Sequence, residues 1–142
     1  MREAVLTVKV DGLSKDINVV QGHSFGSNVP AEAIFYNDLQ SSMGDFTINN
    51  VNLPSGVSKV WEFTSQYQCM KATAYVNGTN YASESWLISP AMNLTGETAA
   101  NIAFDYVINK GDASAAAKNH KLLVTDNYTG DVTTTEWTEV SY

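Results

Sequence analysis

The stretch that decides the fold is "ASESWLISPAMNLTG", residues 82–96. Trp86, Leu87 and Ile88 stand together, Ser89-Pro90 stops them, and Asn93 to Gly96 turn the chain. In an extended strand successive side chains alternate, so Leu87 is expected to point away from its two neighbours. Proline has no N–H to give a sheet ladder, so Pro90 marks the end of a strand. A nucleophilic serine or a sugar-stacking tryptophan could each claim part of the segment. Strand-and-turn architecture accounts for all of it.

Working outward, the same grammar repeats. "VLTVKV" alternates, "DGLSKD" turns and "INVV" returns, which predicts a β-hairpin over 4–20. Residues 21–32, "QGHSFGSNVPAE", read as a linker, dividing the chain into 1–32 and 33–142. Strands are then expected at "AIFYN", "DFTINNVNL", "SKVWEF" and "CMKATAYV", the last presenting Met70, Ala72, Ala74 and Val76 on one face. "PSG" at 54–56 is a tight turn, and Asn77-Gly78 is the strongest hairpin signal in the chain. "NIAFDYVIN" predicts a strand with Ile102, Phe104, Tyr106 and Ile108 inward. "KGDASAAAKNH" reads as a loop carrying one helical turn, and "KLLVT" and "TEWTEV" close the series. Many short strands, frequent turns and no sustained helical period predict an all-β chain, a jelly-roll-like β-sandwich preceded by an N-terminal hairpin.

Composition sets the outer bounds. The 142 residues suit one globular core, with 44% hydrophobic and 11% aromatic residues. Fifteen acidic against eight basic residues give a net charge of −7, a surface that repels phosphate backbones and argues against nucleic-acid partners. No apolar run reaches the length of a membrane-spanning helix. Cys69, the one cysteine, lies in a strand pattern and reads as a buried, inert thiol.

Catalytic signatures are sparse. There is no G-x-S-x-G, phosphate loop or H-E-x-x-H. A triad built on Ser83, Ser85 or Ser89 would have to recruit His23 or His120. Glu62, Glu84, Asp105, Asp112, Glu136 and Glu139 could supply a glycosidase pair only if two of them faced one cleft. The chain is therefore expected not to be an enzyme. Oxygen-rich loops at "YND", "NKGD" and "TDNYTGD" make Asp38, Asp112, Asp126 and Asp131 the candidate ligands of a structural calcium ion. Tyr67, Tyr75, Tyr81 and Tyr128 lie on loops or polar strand faces and are the candidate ligand-binding rings. Trp61, Trp86 and Trp137 each sit inside an apolar strand pattern, where burial is expected.

The strand order "GDFTINNV", "VWEF", "MKATAYVNGTNYASESWLISPAMNLTG", "NIAFDYVIN", "KLLVTDNYTGD" and "EWTEV" resembles the choice-of-anchor J domain family, itself similar to cleaved adhesin and MAM-type jelly rolls. The resemblance runs from about residue 34 to the C-terminus, and "SWLISPAMNL" carries its most specific part. It implies a secreted or outer-surface module of a Gram-negative bacterium, joined to a larger protein and serving adhesion or contact with glycans or surface proteins. A carbohydrate-binding module of a glycan-utilisation system and a structural spacer are the alternatives. The resemblance also implies calcium at the sandwich edge near the first strand; Asp38 fits that position, whereas Gln40 stands where an acid is expected. Family members continue past "EWTEV". A sheet left open there is expected to self-associate by edge pairing.

Overall fold

The structure is a computed structural model that describes residues 2–10, 13–21, 33–110, 114 and 118–141, the first two segments by backbone alone. Strands dominate. Among the described residues helical backbone is confined to Ser114, Lys118 and Asn119, so the chain is all-β. Among the described residues eleven strands divide between two compact units.

The first unit comprises residues 1–30, 94–129 and 135–142. Strands β1 (Arg2–Val10) and β2 (Leu13–Gln21) form the N-terminal hairpin, in register from Arg2↔Gln21 to Val10↔Leu13. β9 (Ala99–Phe104) adds to β2 in parallel, from Asp16↔Ala99 to Gln21↔Phe104, giving a sheet whose outer strands are β1 and β9. The hairpin thus joins this unit through a partner far along the chain. β10 (Leu122–Val124) and β11 (Thr138–Val140) form an antiparallel ladder. Ile102 and Phe104 share one face of β9, and Leu122 and Val124 share one face of β10, by the two-residue alternation of a strand. All four pack against Val140, which is 1% exposed.

The second unit comprises residues 31–93 and 130–134. β3 (Thr47–Asn52) pairs with β8 (Glu84–Ile88) antiparallel, and the register shifts between Asn50 and Asn52 around a bulged Val51. The segment "SWLI" therefore lies in a strand that ends before Ser89-Pro90, as its sequence dictates. β4 (Trp61–Thr64) and β5 (Cys69–Ala72) make a second hairpin, and β6 (Tyr75–Val76) and β7 (Thr79–Asn80) a third. The third turns at Asn77 (φ 48°) and Gly78 (φ 85°), the left-handed pair that an Asn-Gly two-residue turn supplies. The "PSG" turn closes with Val57 N–H donating to the Pro54 carbonyl at 3.0 Å. The Trp61 indole N–H donates to the Ser85 carbonyl at 3.2 Å and ties β4 to β8.

Four expectations are corrected. "AIFYN" is not a strand: Asn37 and Asp38 turn their carbonyl and carboxylate oxygens onto the backbone N–H groups of Leu39 (2.8 Å) and Gln40 (3.0 Å), which breaks extension. Phe35 instead packs edge-on against Phe46, centroids 5.7 Å apart. "CMKATAYV" is two strands, because the Thr73 hydroxyl oxygen accepts from the Tyr75 N–H at 3.2 Å and turns the chain; Ala72 is exposed rather than inward. "NIAFDYVIN" stops at Phe104, and Tyr106, Val107 and Ile108 are exposed, Val107 by 90%. The three tryptophans are half-buried, not enclosed, and Trp137 precedes β11 instead of lying within it.

Candidate functional site

The clearest built feature lies in the loop between β10 and β11. The Thr129 N–H donates to the Thr135 hydroxyl oxygen at 3.2 Å, and the two hydroxyls share a hydrogen bond of 3.0 Å. This double contact clasps the loop where the chain leaves the first unit at Thr129 and re-enters it at Thr135. Just outside the clasp, the rings of Tyr128 and Trp137 stand 5.9 Å apart at 47°, a tilted aromatic pair. Trp137 is half-buried, and Tyr128 keeps 44% of its surface open. Asp126, Asn127 and Glu136, their near neighbours in the sequence, are exposed. The Asn127 N–H donates to the Thr125 hydroxyl oxygen at 3.1 Å, which fixes the approach to Tyr128.

The other candidate tyrosines belong to the second unit. Tyr67 is 64% exposed on the turn between β4 and β5. Tyr75, 59% exposed, faces solvent with its cross-strand partner Asn80. Tyr81 lies one step on, its N–H donating to the Ala74 carbonyl at 3.1 Å. Strand alternation puts that pair on the opposite face of the ribbon, so Tyr81 is half-buried and Tyr75 and Tyr81 cannot form one platform.

The candidate calcium ligands have local occupations. Asp38 accepts from the Gln40 N–H. Asp131 accepts from the N–H and the hydroxyl of Thr133, both at 2.8 Å, and the backbone bond first, then the hydroxyl, hold its carboxyl below the usual carboxylate range. Asp126 is exposed in the bend after β10, and Asp112 lies outside the described residues. Among the described residues no group of three His, Cys, Asp or Glu side chains is close enough to hold a metal ion.

Of the acids weighed for glycoside chemistry, Glu62 is pinned between Lys59 and Lys71, the latter at 2.8 Å. Those hydrogen bonds, Lys59 foremost, lower its carboxyl to about 2, and Glu62 in turn raises Lys71. A general acid needs the opposite shift. Glu84 accepts from the Trp86 indole N–H at 3.0 Å, and Glu139 pairs with Lys121 at 2.6 Å. Asp105 and Glu136 are exposed. His120 is exposed and Cys69 is half-buried at the start of β5; His23 lies outside the described residues. No helix among the described residues is long and apolar enough to cross a membrane.

The strand pattern around Trp137 pointed to burial rather than to pairing with Tyr128, and the Thr129–Thr135 clasp was not anticipated. The spacing of two threonines across a turn-rich stretch is the signal that was there, but their pairing depends on how the loop folds back. No family model matches the chain, and no curated protein and no solved structure matches it either.

Proposed function

We propose that the chain is a non-catalytic adhesion or binding module of a secreted or outer-surface bacterial protein, a choice-of-anchor J-like jelly-roll β-sandwich. One observation carries the binding role: tyrosine rings stand open on the turns and short hairpins of an all-β chain, Tyr67 by 64% and Tyr75 by 59%. Loops and hairpin ends held by a strand scaffold are where recognition residues concentrate. Tyrosine gives a large, rigid, amphipathic contact at small entropic cost. The resemblance carried by "SWLISPAMNL" supports the surface location and the sandwich.

The experiment is a binding screen of the immobilised chain against a glycan array and a panel of extracellular-matrix proteins. Saturable binding to at least one ligand, weakened in the Tyr67→Ala/Tyr75→Ala double variant, is the expected result. A flat response across both panels would leave a structural spacer and sink the binding role. A carbohydrate-binding module is the second reading, favoured by the Tyr128–Trp137 ring pair and the exposed polar residues next to it in the sequence.

A further inference from the structure

We propose that the clasped β10–β11 loop is a stacking site for a neutral pyranose, with Tyr128 as the contact ring and Trp137 as the ring that positions it. This deepens the carbohydrate-binding reading and rests on it, naming the site and the ligand class. The face of an aromatic ring carries the negative lobe of its quadrupole and favours the polarised C–H groups on the face of a sugar ring. Such a contact is effective when the ring is held in place before binding, because less motion is lost on association. Tyr128 meets that condition twice over. Trp137 braces it at 5.9 Å, and the Thr129–Thr135 double hydrogen bond fixes the backbone next to it. Its remaining 44% exposure leaves ring surface for a ligand.

The flanking residues select the chemistry. Asn127 offers an amide that both donates and accepts, and Asp126 and Glu136 offer carboxylates that accept from hydroxyl groups. A polyol satisfies all of these, whereas a plain hydrocarbon satisfies none. Two exposed carboxylates within two residues of Tyr128 and Trp137 in the sequence, in a chain of net charge −7, disfavour uronic acids and sulfated sugars. The preference is therefore for uncharged saccharides. Val107, 90% exposed and without a ring, serves as the comparison.

The test is affinity electrophoresis of the full chain in gels containing a mixed-linkage β-glucan, xylan, galactomannan or polygalacturonate. The wild type is expected to be retarded by at least one of the three neutral polymers and not by polygalacturonate. Tyr128→Ala should weaken that binding by about tenfold, the scale of a lost anchor ring, while Tyr128→Phe, which keeps the ring, retains it and Val107→Ala binds like the wild type. Thr135→Val should weaken binding by opening the clasp, and Thr135→Ser should restore it, with far-ultraviolet circular dichroism unchanged between the two. Undiminished binding by Tyr128→Ala, or an equal loss in Val107→Ala, overturns this site while leaving a sugar-binding role intact. Retardation by polygalacturonate overturns the selectivity. No retardation of the wild type by any polymer overturns the saccharide assignment, and the protein panel then decides separately whether a binding role survives.

Discussion

Glu62 shows how much one side chain's surroundings can move its chemistry. Lys59 and Lys71 reach it from its own strand's approach and from the paired strand β5, and together they hold its carboxyl at about 2 against an ordinary value of 4.5. The folded-state value is the lower one. The stabilisation is therefore complete above pH 4.5 and is lost as the pH falls toward about 2. A carboxyl-carbon NMR titration should place the Glu62 midpoint near that value. Lys59→Met should raise it more than Lys71→Met, because the Lys59 contact is the larger cause; a wild-type midpoint in the ordinary range would dispose of the trio. Some of this scale was legible in sequence. Tyr67 and Tyr75 stand open, as their turn and polar-face positions suggested, whereas Tyr81 does not, because its face depends on pairing with Ala74. Trp137 could be placed in an apolar pattern but not beside Tyr128, since their contact requires the loop between them to double back.

At the scale of elements, the turns were easier to read than the ends of strands. Asn77-Gly78 and the "PSG" segment impose backbone angles that few other residues accept, so they act wherever they occur. Strand ends are settled by competition. Thr73 takes the Tyr75 N–H and splits one expected strand into two, and Asn37 with Asp38 removes another altogether. β9 ends at Phe104 although "DYVIN" continues the apolar alternation, since its β2 register ends at Gln21↔Phe104 and its core contacts are Ile102 and Phe104. The link between β4 and β8 can be tested directly. Trp61→Phe keeps most of the ring but deletes the indole N–H that the Ser85 carbonyl accepts. For a half-buried neutral hydrogen bond the expected loss is about 1 kcal/mol. Urea denaturation should show a lower midpoint with an unchanged slope; an unshifted midpoint would mean that solvent replaces the bond without cost.

For the whole molecule, the division into two units follows pairings that no local pattern announces. The hairpin at the N-terminus is completed by β9, and residues 130–134 belong with the strands of 31–93. Alternation identifies which residues of a strand can face inward; it does not say which strands will meet. Val140, two residues before Tyr142, has no special signature in the sequence, yet Ile102, Phe104, Leu122 and Val124 converge on it. It is enclosed by two strands and their neighbours, with 1% of its surface open. Val140→Ala removes two methyl groups from that point and leaves a void that the four residues around it, on two other strands, cannot all close. The expected cost is about 2 kcal/mol, combining the lost transfer energy with the cavity. By contrast Val107, 90% exposed, should tolerate the same truncation with a change within about 0.5 kcal/mol. Chemical denaturation of the two variants side by side, followed by Trp137 fluorescence because that ring belongs to the same unit as both valines, separates a core formed around Val140 from a mere surface contact. Equal midpoints for the two variants would show that the convergence on Val140 does not hold the unit together.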